Sequence, residues 1–158
     1  MAEADDTSMV TVWAAITDAT VANGCLQVIP GSHRGNMLEH CSYSQLAIPE
    51  KLFDVASATP LPVKSGGIVL FHPLTVHGSL TNTTTDIRWS FDLRYNVTGD
   101  PTGRPMFPEF VARSCANPET VLIDSDEWRK KWEAARTRLS AQDSVEIHRW
   151  GGQSEVCA

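Results

Sequence analysis

Apolar and polar positions alternate most clearly over residues 87–95. Ile87, Trp89, Phe91, Leu93 and Tyr95 fall on one side of a period of two, and Arg88, Ser90, Asp92 and Arg94 on the other. That period belongs to a strand with two unlike faces, because successive side chains point to opposite sides of a sheet. Residues 9–16 are rich in β-branched and aromatic side chains and read as another strand. Asn23-Gly24 predicts a hairpin turn, with 25–29 as the return strand that Pro30-Gly31 stops. Residues 60–64 and 68–71 complete the strands. Residues 34–58 have no clean period. They read as a long connection over the mouth of a site, with a short helix in 45–56 interrupted by Pro49. Residues 98–108 are rich in glycine and proline turns. Trp128, Trp132, Ala135 and Leu139 recur at helical spacing. They predict a helix over 125–140, packed on the sheet through its tryptophans. Asp124 is its N-cap and Glu127 completes a capping box.

Many short strands with little helix indicate an all-β sandwich or jelly roll. The length of 158 residues suits one domain, with a core over about 9–97 and a disordered tail over about 141–158. Residues 1–8 form a loose acidic start. A hydrophobic content of 42% makes the chain globular, and a net charge of −6 without a basic patch argues against nucleic acid. No apolar run approaches the roughly 20 residues of a membrane span. The acidic start lacks the apolar stretch of a signal peptide. Cys25, Cys41, Cys115 and Cys157 form no C-x-x-C pair, so the expectation is four free thiols in a reducing cytoplasm.

Candidate chemistry gathers between residues 66 and 95. A histidine on one strand, His77, and an arginine at the head of the next, Arg88, can point into one space. An imidazole there can bind a metal, and a guanidinium can hold a carboxylate in a fork. An isolated histidine is more often hydrogen-bonded to backbone, and an isolated arginine more often in a surface ion pair. Here the surrounding pattern decides. His77-Gly78-Ser79, then Asn82, then Arg88, resembles the C-terminal signature of the phytanoyl-CoA dioxygenase family. Asn23-Gly24-Cys25-Leu26 and Pro30-Gly31-Ser32-His33 resemble its upstream blocks, in the same order.

That family consists of iron(II)- and 2-oxoglutarate-dependent oxygenases. The resemblance implies a double-stranded β-helix, the cupin-like jelly roll. It implies His77 as a metal ligand, and Arg88 with Ser79 as partners of 2-oxoglutarate's distal carboxylate, with no catalytic residue beyond the metal site. Molecular oxygen and a small organic substrate would complete the reaction, a hydroxylation. The other histidine and the carboxylate come from an H-x-D motif, and none of the five histidines here is followed two places on by Asp or Glu. The expectation is therefore an N-terminally truncated domain, inactive alone and prone to self-association through exposed sheet. His33 and His72 read as structural, and His40 as placed to meet substrate. Trp13 and Trp89 read as core, and Asp18 has no evident partner. Two other readings stay open: a non-catalytic jelly-roll module binding a small carboxylate or a protein, and a cupin-type metal enzyme such as an isomerase. The latter needs clustered histidines.

Overall fold

The computed structural model describes residues 8–42, 46–145 and 154–157. The chain forms two compact units: residues 9–95 with 150–158, and residues 1–8 with 96–149.

The first unit holds the strands: β1 (Val10–Ala15), β2 (Leu26–Val28), β3 (Cys41–Ser42), β4 (Leu46–Ala47), β5 (Thr59–Leu61), β6 (Ile68–Phe71), β7 (His77–Ser79) and β8 (Ser90–Tyr95). They build two antiparallel three-stranded sheets, ordered β6-β1-β8 and β5-β2-β7, and a small β3-β4 ladder. From β5 onward each step changes sheet, β5 to β6 to β7 to β8. That alternate winding is the double-stranded β-helix, here without a closed barrel.

Register follows the two-residue period. Thr11, Trp13 and Ala15 face inward, and Trp13 is 4% exposed. They share that face with Phe71 and Val69 of β6 and with Asp92 of β8, by direct pairing. Trp13, Ala15, Ala19, Cys25, Leu26 and Phe71 form the core. The opposite face carries Ile68, Leu70, Phe91, Leu93 and Tyr95, all exposed.

The Asn23-Gly24 hairpin is corrected. β1 and β2 lie in different sheets, so Asn23-Gly24 is a corner between sheets rather than a hairpin turn. Gly24 has φ +84°, and a Cβ there would stand 2.6 Å from the Leu80 carbonyl oxygen. Asn23 bridges to Asn82. The glycine signal was real, but it served a close approach between distant segments. The short helix in 45–56 is also replaced. Pro49 precedes a 3-10 turn, Glu50–Leu52, and Asp54 caps a second, Val55–Ser57. Residues 43–45 lie outside the described ones.

The expectation of four free thiols is overturned. Cys41 and Cys157 form a disulfide, their Cα atoms 5.4 Å apart, while Cys25 and Cys115 are free. The pair is 116 residues apart in sequence, and the Glu155–Cys157 turn returns to β3. No spacing rule could show that. The support that free thiols lent to a cytoplasmic placement is removed with it. No helix among the described residues is long and apolar enough to cross a membrane. Of the expected loose start only Ser8 is described, and of the tail only 141–145 and 154–157.

The second unit holds α1, Ser125–Ser140, within the predicted bounds. Asp124 caps it by accepting from the Asp126 amide at 2.8 Å. Trp128 and Trp132 meet edge to face, and their further ring contacts are Phe110 and Phe107 of the same unit.

Candidate functional site

The core-facing wall of the first unit opens on a cavity of about 550 Å³. His77 and Ser79 of β7, Asp92 of β8 and Trp13 of β1 line it. Each reaches it by strand parity, since His77 and Ser79 are two apart and Asp92 pairs with Trp13. Met37, Leu38, His40, Ala47, Ile48 and Phe53 of the long connection line the same cavity. The long connection thus lies along the cavity, with His40 in its lining.

His77 is held from two sides. Its Nδ1 lies 2.7 Å from the Thr75 carbonyl oxygen, and its ring packs on Phe71 with centroids 4.7 Å apart. A carbonyl oxygen only accepts, so Nδ1 carries the proton in that bond. In the neutral ring Nε2 then keeps its lone pair for a metal or a donor.

Arg88 lies just before β8. Its Nη1 donates to Ser90 Oγ at 3.1 Å and its Nη2 to Ser79 Oγ at 3.2 Å. Its Cζ stands over the Trp13 ring, 5.5 Å from the centroid. Among the described residues no carboxylate pairs with it. A guanidinium on an aromatic face, with hydroxyls beside it and no acidic partner, is poised for an external anion. Arg88 thus meets Ser79, which shares β7 with His77 two residues away.

The other blocks hold this group in place. Ser32 Oγ accepts from the Val76 amide at 2.9 Å, one residue before His77. Ile29 N donates to the Val76 carbonyl at 3.0 Å. Asn82 Nδ2 donates to the Asp86 carbonyl at 2.7 Å, and its Oδ1 accepts from the Thr84 amide at 2.8 Å. Those bonds shape the turn that delivers Arg88. His33 and His72 sit apart from the cavity lining, with ring centroids 6.1 Å apart, and His72 Nδ1 accepts from the Leu74 amide. Asp92 was missed as a lining residue, though its place on the polar side of the 87–95 alternation was the signal for it.

Solved structures share this architecture. A non-haem monooxygenase, ThoJ, superposes with a TM-score of 0.60 at 22% identity, over 84% of this chain and 54% of that one. EvdO2 from Micromonospora carbonacea var. aurantiaca, complexed with 2-oxoglutarate, gives 0.50 at 27% identity, over 60% and 42%. The fold is therefore a partial jelly roll of the cupin-like oxygenase class. The family follows. The phytanoyl-CoA dioxygenase family model matches residues 1–90 of the 158, and the chain belongs to that family. A probable phytanoyl-CoA dioxygenase of Caenorhabditis elegans is 30% identical over 152 residues, covering 81% of this chain. The chain spans about half the length of that relative, 48%.

Proposed function

We propose that the chain carries the 2-oxoglutarate-binding end and one iron ligand of an iron(II)- and 2-oxoglutarate-dependent dioxygenase that hydroxylates a small organic substrate. The observation that carries this is Arg88, set on Trp13 between Ser79 and Ser90 without an acidic partner. Arg88 holds the distal carboxylate of 2-oxoglutarate in a fork. Ser79 Oγ accepts from Arg88, so its own proton can go to the same carboxylate. EvdO2, similar in fold, binds 2-oxoglutarate, which supports the assignment.

His77 suits a metal through Nε2. Iron oxygenases of this type use two histidines and a carboxylate. Among the described residues no three His, Cys, Asp or Glu side chains gather as a metal site. The described residues thus do not gather a set of three ligands, and no step through the metal follows from them. When bound, iron and 2-oxoglutarate supply the oxidation of a C–H bond by molecular oxygen. This chain's residues bind the co-substrate, orient it and exclude water.

Titration calorimetry of 2-oxoglutarate into residues 1–158 tests the reading. Binding is expected, and Arg88→Ala should weaken it roughly 10- to 100-fold, the loss of a charge-assisted hydrogen-bonded pair. Equal affinity in the variant ends the assignment. The missing ligand cluster favours a second reading, a non-catalytic module that binds a small carboxylate. Adding iron(II) and oxygen and measuring succinate tests the second reading. The chain alone is expected to bind 2-oxoglutarate and release none. Sustained release that His77→Ala abolishes would end the second reading.

A further inference from the structure

The Cys41–Cys157 disulfide stands outside the core and beside the cavity. The core residues of the first unit, Trp13, Ala15, Ala19, Cys25, Leu26 and Phe71, include neither cysteine of the pair. His40 precedes Cys41 and lines the cavity, and so does Ala47, which faces Cys41 across the β3-β4 ladder. Ser79, a partner of Arg88, lines the same cavity. The bond therefore acts on the border of the cradle and not on the sheets that carry it.

That border is thinly built. The β3-β4 ladder is two residues long on each strand, too short to stand alone. The Glu155–Cys157 turn packs on β3, but its backbone bonds close on Ser154. Cys157 N donates to the Ser154 carbonyl at 2.8 Å, and Val156 N to Ser154 Oγ at 3.2 Å. The sulfur bridge is the covalent hold of that turn on β3. It joins residues 116 apart in sequence, so its cleavage returns much chain freedom. The two ends also differ in access. Cys41 is 1% exposed, whereas Cys157 is half-buried. A thiolate can therefore reach Cys157 Sγ, and exchange rates depend on such access.

We propose that the Cys41–Cys157 bond is a redox latch on the cavity. Oxidised, it fixes the β3-β4 ladder along the site. Reduced, it releases the ladder and weakens 2-oxoglutarate binding while the two large sheets stay folded. The inference adds regulation, and it rests on reading Arg88 and Ser79 as the 2-oxoglutarate cradle. The reductant is a dithiol. Its first thiolate attacks Cys157 Sγ and expels Cys41 as a thiolate, which takes a proton from water. Its second thiolate then closes the reagent's own disulfide and releases Cys157, which is protonated in turn. An oxidised dithiol reverses the exchange. A border fixed in advance spares the ligand the cost of ordering it, about two- to tenfold in affinity for one side chain.

The test uses residues 1–158 with Cys115→Ser, which removes the exposed free thiol. Methyl NMR and titration calorimetry compare the chain in oxidised and in reduced dithiothreitol. On reduction the Ala47 and Ile48 methyls, both at the cavity, should shift, while that of Ala15, in the core, should stay. The Kd for 2-oxoglutarate should rise about two- to tenfold and return on re-oxidation. Cys157→Ser should match the reduced state and ignore dithiothreitol. Should that variant not fold, the reduced chain decides the matter. Unmoved Ala47 and Ile48 methyls, or equal Kd in the two states, would overturn the latch. Loss of the folded Ala15 signal on reduction would overturn it too, because the bond would then be a staple of the whole fold. If 2-oxoglutarate binds in neither state the cradle fails, and the latch stands or falls on the methyls alone.

Discussion

Arg88 owes its position to its neighbours' small polar groups. Two hydroxyls take its Nη atoms and an indole supports its plane, which leaves one edge of the fork for a ligand. In the role proposed for it lysine could not replace it, since a point charge cannot match a planar carboxylate. Asp18 shows a different residue-scale device. It has the partner that the sequence did not reveal: Lys64 Nζ donates to it at 2.8 Å, and the Ser65 amide donates at 2.8 Å. The Lys64 hydrogen bond first, then the Ser65 amide, holds its carboxyl below the usual carboxylate range. A lowered folded pKa adds stability above the unfolded value of about 3.9, and that stability is lost as pH falls through the folded value. Asp18→Asn should therefore lower the Tm slightly at pH 7. The gap should narrow as pH falls below the unfolded value and shrink in high salt, because the pair is exposed. A gap that stays constant from pH 7 to pH 2 would show that the carboxylate's charge has no part in it.

At the scale of elements, turns carry the site. Gly24 lets the β1-to-β2 corner pass against the Leu80 carbonyl, and the strand ending there presents His77 and Ser79. Gly24→Ala meets both a positive φ and a 2.6 Å clash with backbone. Gly31 has φ +81° but nothing within 4 Å of an added Cβ. Alanine at Gly31 should cost about 1 kcal/mol, the usual left-handed penalty. At Gly24 it should cost about 2–4 kcal/mol, since overpacking adds to that penalty. Urea unfolding of the two variants checks the order, and equal losses would mean the corner relaxes freely. α1 needs no such help. Its cap and its acidic first turn act locally, while Arg138 in its last turn donates to the Met106 carbonyl at 2.6 Å.

For the whole molecule, the telling feature is the outer face of the β6-β1-β8 sheet. Phe91 is 59% exposed and Leu70 is 59% exposed, on the two strands that flank β1, with Leu93 and Ile68 on the same face. Apolar surface of that kind favours association, by roughly 25 cal/mol for each Å² covered. The chain alone should sediment as a concentration-dependent mixture of monomer and larger species. Leu70→Lys with Phe91→Lys should return it to monomer without changing 2-oxoglutarate affinity, because both point away from the cavity. A wild-type chain monomeric at high concentration would refute the self-association.

What could be read from the chain itself was whatever depends on near neighbours. The alternation at 87–95 marks both faces of β8, and Arg88 and Asp92 take the polar one. The tryptophan spacing and Asp124 mark α1. The His77, Ser79 and Arg88 spacing is short and Asn82 shapes the turn between them, so Arg88 meets Ser79 although β7 and β8 lie in different sheets. What depends on distant segments was decided by tertiary structure alone. Asn23-Gly24 is a turn signal in either setting, and only Leu80 and Asn82 packing against it make it a corner. Cys41 and Cys157 carry no local sign of partnership, since a disulfide needs two Cα atoms brought within reach and sequence distance does not report that. The part of the cavity lining that comes from the long connection is the same case. Met37, Leu38, Ile48 and Phe53 have no periodicity to join them, and they become one surface only because the long connection folds back over His77.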